Sequence, residues 1–257
     1  MNGNGVELPR PALLVSVRSP AEAADALAGG ADVIDVKEPA AGSLGPATAA
    51  TCCGIAEIVG ERAPWTMACG ELADGSERIG DLLASTWEAL AASGSVTVRL
   101  PAAIKVGLAG CAERPWQREL ARLAGGLPPG VGQVAVLYAD AERCGAPLPI
   151  EVLAAVSDLR PAAVLVDTFD KQAAGLLGQR TVEELKRWRE TAAAAGCRFV
   201  LAGKLTVEMF ASLAEVDADI IAVRSAVCSQ GRSGPVDPAL VRRVRASLLR
   251  PPAGAPR

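Results

Sequence analysis

Short apolar runs alternate with longer stretches of helical periodicity along the whole chain. The runs predict strands at Leu13–Val17, Val33–Val36, Trp65–Cys69, Ile104–Gly107, Gln133–Tyr138, Ala163–Asp167, Phe199–Ala202 and Ile220–Val223. The intervening pattern predicts helices over Pro20–Leu27, Ala47–Val59, Ile79–Ala92, Pro115–Leu123, Ile150–Leu159, Thr181–Ala195, Val207–Leu213 and Pro238–Leu249. Ser19 precedes the first helix as an N-cap, Pro46 suits the first turn of the second, and Asp237 with Pro238 opens the last. Strands alternating with helices imply parallel strands joined by right-handed crossovers. Eight such pairs in a chain of this length favour a single α/β domain, a closed (β/α)8 TIM barrel over residues 11–250, since such barrels typically need roughly 250 residues. An open doubly wound sheet is the alternative. Residues 1–10 are expected to be a flexible N-terminus and 251–257 a disordered tail. Val96–Leu100 also alternates like a strand, which leaves a short hairpin or an extended lead-in to strand 4.

Composition narrows the chemistry. Half of the 257 residues are hydrophobic and the net charge is −3, which gives no nucleic-acid footprint. No apolar run approaches the roughly 18 residues of a membrane span. The N-terminus lacks a basic segment leading into an apolar one, so a cytoplasmic protein is expected. Seven cysteines without a C-x-x-C read as reduced thiols. Histidine is absent, which removes the commonest general base. Of 26 basic residues only five are lysine: Lys37, Lys105, Lys171, Lys186 and Lys204. In a chain that otherwise uses arginine, a retained lysine points to an amine that can lose its proton and attack a carbonyl.

Four of those lysines fall at or near the C-terminal ends of predicted strands. In a barrel these ends converge on one mouth, where active sites sit. Asp35 precedes Lys37 by two residues on one face of strand 2, and Asp167 ends strand 6 four residues before Lys171. The alternatives for these groups are solvated loop lysines and a structural ion pair in the lumen. Lys105 lies among apolar residues, so a lowered pKa and a role as base are expected of it. The loops after strands 7 and 8 are where barrels often bind phosphate, and they offer Gly203, Lys204, Arg224, Ser225, Gly231 and Arg232. Acidic residues show no metal-ligand spacing and no G-x-G-x-x-G follows the first strand, so no metal and no cofactor are expected.

The stretch "LLVSVRSPAEAADALAGGADVIDVKEPAAGSLG" resembles the N-terminal signature of the (5-formylfuran-3-yl)methyl phosphate synthases, also called 4-(hydroxymethyl)-2-furancarboxaldehyde-phosphate synthases. Later stretches of the family recur here in order at Ile104–Gly110, Tyr138–Asp140, Asp167–Lys171, Leu201–Lys204 and Val223–Gly234. The resemblance implies a (β/α)8 barrel and a lyase. It implies condensation of two glyceraldehyde 3-phosphate molecules, with loss of phosphate and water, for methanofuran-type cofactors. It implies Lys37 as the Schiff-base lysine, Lys105 as proton acceptor, and Asp35, Asp167 and Lys171 as further active-site residues. The chain departs from the family pattern at Glu38, Lys204 and Ser225. Two other readings stay open: a Schiff-base aldolase or lyase on another phosphorylated sugar, and a non-catalytic phosphometabolite-binding barrel. Each takes a small phosphorylated molecule and neither a nucleic acid nor a membrane. The sequence leaves open whether the chain forms a homo-oligomer and whether Lys37, Lys105 or Lys171 is the nucleophile.

Overall fold

The computed structural model describes residues 8–249. The expected tail and most of the expected flexible N-terminus, residues 1–7, lie outside the described residues. Eight parallel strands close into a barrel in sequence order. They are β1 (Ala12–Val17), β2 (Val33–Val36), β3 (Trp65–Glu71), β4 (Ala103–Gly107), β5 (Gly132–Tyr138), β6 (Ala163–Asp167), β7 (Arg198–Leu201) and β8 (Ile220–Val223). Hydrogen bonding between β1 and β8 completes the ring, so no strand edge is left unpaired and the open-sheet alternative is excluded. Among the described residues no helix is long and apolar enough to cross a membrane.

The parity of each strand decides what it presents. Leu13, Val15, Val17, Ile34, Val36, Trp65 and Met67 pack outward under the helices. Ala12, Leu14, Val33, Ala68, Ala103, Val134 and Leu165 point inward and fill the barrel. Successive side chains alternate faces, so Ser16, Asp35, Lys37, Thr66 and Lys105 share the inward face. An apolar group from the loops, Leu44, Ala109, Ala141 and Ala146, packs with Tyr138 over the β3–β5 side of the mouth.

The helices differ from the pattern mainly at their starts. The second begins at Ala49 with the Thr48 side chain as its cap, not directly after Pro46. The third starts at Ser76, three residues before its apolar periodicity begins. The seventh is short, Phe210–Ala214, and is entered through a 3-10 turn at Val207–Met209. Val96–Leu100 forms neither strand nor hairpin; it is an irregular lead-in, pinned where Trp65 Nε1 donates to the Arg99 carbonyl at 2.9 Å. All seven cysteines are free thiols.

Candidate active site

Two carboxylates and three amines meet inside the mouth. Asp35, on β2, is buried and faces inward. Its Oδ2 accepts from Ser16 Oγ on β1 at 3.0 Å and its Oδ1 from Thr66 Oγ1 on β3 at 2.8 Å. Lys105 reaches across from β4 to form an ion pair with the same Oδ1. Burial pushes the Asp35 carboxyl up, but Lys105 and then Lys37 outweigh it and hold it below the usual carboxylate range.

Asp167, at the end of β6, is the second carboxylate. Its Oδ1 accepts from Lys171 Nζ at 2.8 Å and from the Thr168 amide at 2.8 Å. Ser43 Oγ lies 3.5 Å from its Oδ2 and donates to the Thr168 carbonyl at 3.1 Å. Here too burial raises the carboxyl and the lysines, Lys171 ahead of Lys37, bring it below its ordinary value. Lys171 is further tied to the Thr168 carbonyl. The loop that carries it is held from the connection just past β5, where the Asp140 carboxylate accepts the amides of Phe169 at 2.7 Å and Asp170 at 2.8 Å.

Lys37 sits between these pairs and belongs to neither. It is only 8% exposed, yet among the described residues its amine has no hydrogen bond and no ion pair. Burial lowers its pKa from 10.5 to about 8. Asp167 and Asp35 oppose that shift, and Lys171 and Lys105 add to it. Lys105, the expected base, stands in a close pair with Asp35.

The loops after β7 and β8 form the other wall. Gly203, Lys204, Arg224, Ser225 and Arg232 line the cavity, whereas Gly231 turns the loop outside it. Gly203 has φ 94 and its α-carbon packs against Thr168, where a Cβ would stand 3.1 Å from that side chain. Lys204 follows at φ 57, and its Nζ donates to the Ala173 carbonyl at 2.8 Å. Arg232 lines the cavity while one of its nitrogens donates to the Gly42 carbonyl at 3.1 Å. Arg224 departs from the expectation of a phosphate ligand. Its N–H groups go to Glu22, Ser16, Arg232 and Gly234, so none is free for a ligand.

Sequence reasoning missed Ser16, Thr66, Ser43 and Glu71. Ser16 and Thr66 carried a usable signal, because each is polar at an inward position of an apolar strand. Glu71 ends β3 and folds over β4. Its carboxylate accepts from Tyr138 Oη at 2.7 Å and from the Ala109 amide at 2.9 Å. Burial keeps its pKa above the ordinary value against the opposing Tyr138 and Ala109 hydrogen bonds. Gly107, two residues past Lys105, makes room for it: a Cβ there would lie 2.0 Å from Glu71 Oε2. Gly107→Ala is expected to evict that carboxylate from both donors and to destabilise the barrel by about 1–3 kcal/mol. A thermal melt matching wild type would count against this clamp.

Among the described residues no group of three or more Cys, Asp or Glu is arranged to hold a metal ion. What the mouth offers is amine chemistry: one unpaired lysine, two lysine–aspartate pairs and a cationic wall.

Solved structures share this (β/α)8-barrel architecture. A phosphoribosyl anthranilate isomerase from Thermotoga maritima superposes with a TM-score of 0.61 at 14% identity, covering 92% of this chain and 98% of that one. A 3-hexulose-6-phosphate synthase superposes with a TM-score of 0.59 at 15% identity, covering 92% and 99%. At such identities the likeness speaks for the fold alone. The sequence goes further: residues 13–245 match the model of the 4-HFC-P synthase family, and the chain belongs to that family. A (5-formylfuran-3-yl)methyl phosphate synthase of Methanococcus maripaludis is 32% identical over 238 residues, which is 90% of this chain and 97% of the relative. The synthase of the same description from Archaeoglobus fulgidus is 30% identical over 242 residues, 89% and 95% of the two chains. The relatives are synthases, and this chain is accordingly an enzyme.

Proposed function

We propose that the protein is a (5-formylfuran-3-yl)methyl phosphate synthase that joins two glyceraldehyde 3-phosphate molecules through an imine on Lys37. The observation that carries the mechanism is the Lys37 amine, buried, unpaired and lowered to about 8 between two carboxylates. A lysine attacks a carbonyl only as the free amine, and a pKa near 8 leaves about a tenth of it free at pH 7. Lys171 is less suited, because its amine is bound to Asp167 and to the Thr168 carbonyl.

The imine acidifies the adjacent carbon of the first triose. Loss of that proton gives an enamine, which attacks the aldehyde carbon of the second. The Asp35–Lys105 pair stands in the same cavity and accepts and returns the protons. Ring closure with loss of one phosphate and two waters gives the aromatic furan, and hydrolysis of the imine frees Lys37. The atoms of two triose phosphates are then accounted for without a redox step. Asp167 stabilises the iminium charge, and Lys171 assists the leaving hydroxyls. Lys204, Arg232 and the backbone of Gly203 and Ser225 face the phosphate. The product is of the kind that furan cofactors such as methanofuran contain.

The test is to incubate the protein with glyceraldehyde 3-phosphate and follow a furan-aldehyde ultraviolet band and free phosphate. Both are expected with wild type and neither with Lys37→Arg, which keeps the charge but cannot form the imine. Phosphate release without the band would sink the furan product. Equal activity of Lys37→Arg would sink the nucleophile.

A further inference from the structure

Glu22 lies on the helix Pro20–Ala28, and no step of the proposed chemistry touches it. It is nonetheless only 4% exposed and accepts four hydrogen bonds. Two come from Arg18, through the backbone amide at 3.0 Å and Nε at 3.0 Å. Two come from Arg224, through Nη1 at 2.7 Å and Nη2 at 3.1 Å. This is the bidentate geometry that fixes a guanidinium in one plane. Arg224 uses its remaining donors on backbone. Nη1 also reaches the Ser16 carbonyl at 2.9 Å, Nε the Arg232 carbonyl at 2.8 Å, and Nη2 the Gly234 carbonyl at 3.1 Å.

A buried ion pair is weak evidence of a gain in stability, because desolvating two charges offsets their attraction. The placement of this one is more informative. Two of its backbone ties fix the β8 loop at Arg232, whose side chain lines the cavity, and two residues further on at Gly234. The third holds Ser16, whose hydroxyl orients Asp35 at 3.0 Å. That tie is to the backbone of β1, which the ring already holds in register beside Asp35, so the loop is the part that depends on the pair.

We infer that the Glu22–Arg224 pair is a positioning device that holds the β8 loop, and Arg232 with it, in the conformation that receives the substrate phosphate. The inference rests on the reading above in which Arg232 faces a phosphate.

Inorganic phosphate, a product of the proposed reaction, is the probe, with binding followed by calorimetry. Lys37 is assayed separately by borohydride reduction of its imine with unphosphorylated glyceraldehyde. Glu22→Gln removes the charge that fixes Arg224 and is expected to weaken phosphate binding at least about tenfold, the loss typical of a charge-assisted contact. Trapping of glyceraldehyde should continue at the wild-type rate. The double variant Glu22→Leu/Arg224→Met removes the pair without leaving a buried charge, and should melt at or above the wild-type temperature. It is expected to remain as poor a phosphate binder as Glu22→Gln. If Glu22→Gln does not fold, the double variant alone decides. Recovery of phosphate affinity along with stability in the double variant would show the pair to be structural and overturn the inference. A wild type that traps glyceraldehyde but binds no phosphate would overturn both the assignment of Arg232 and the role of the pair. A wild type that binds phosphate but traps no aldehyde would sink the imine reading and leave the pair to be judged on phosphate binding.

Discussion

Lys37→Met is expected to abolish turnover and, at neutral pH, to raise the melting temperature by several degrees. Folding takes this amine from a pKa of 10.5 to about 8. The shift corresponds to about 3 kcal/mol that the protonated fold gives up relative to the unfolded chain. The direction follows from proton counting. Between about pH 8 and 10.5 the unfolded chain holds a proton on this lysine that the folded protein has released, so wild-type stability rises with pH through that window. Below about 8 the burden is fully present, and above 10.5 it is gone. Methionine fills a similar volume without a charge, so the variant should gain about 1–3 kcal/mol below pH 8 and nothing at high pH. Melts at pH 7 and pH 10 check this together. A loss of stability at pH 7 would mean that Lys37 is held as a stabilising cation, and an equal gain at both pH values would mean that the gain comes from packing and not from the charge.

Asp35→Asn is expected to be the most damaging single change in the site. It leaves Lys105 buried opposite a neutral amide, the situation that typically destabilises by about 3–5 kcal/mol. It also removes one of the two carboxylates that favour the Lys37 cation, so the Lys37 pKa should fall further below about 8. The pH profile of borohydride trapping reads this directly, with its midpoint displaced toward acid. Asp35→Asn/Lys105→Met should recover most of the stability and show a smaller acid displacement than Asp35→Asn, because the double change also removes a cation that lowers Lys37. A midpoint that stays in place in both variants would refute the electrostatic link between Asp35 and Lys37.

The barrel was legible because its strands are buried on both faces and read as short apolar runs between helical ones. The strand positions of Asp35, Lys37, Lys105 and Asp167 were legible for the same reason, since a charge in such a run has to point somewhere special. The partners were not. Lys105 looks like the lysine most in need of a lowered pKa, because its sequence neighbours are apolar, yet Asp35 reaches it from a strand two places away in the ring. Lys37 has charged sequence neighbours and proves to be the unpaired amine. Arg224 reads as a free cation until Glu22, 202 residues earlier in the chain, is brought against it. The start of the second helix was misplaced for a local reason: Thr48 supplies the capping oxygen that Pro46 lacks. Glu71 gave no signal of its own, because the space it occupies is defined by the missing side chain of Gly107.

Asp35, Lys105 and Asp167 are mounted on strands and Lys37 directly follows one, whereas Lys204, Ser225 and Arg232 belong to the β7 and β8 connections between strands and helices. Strands are locked in register around a closed ring, but connections tolerate replacement and insertion. A lineage, or an engineer, can therefore exchange the β7 and β8 connections while inheriting the lysine–aspartate centre intact. Retargeting this scaffold becomes a problem of loop grafting.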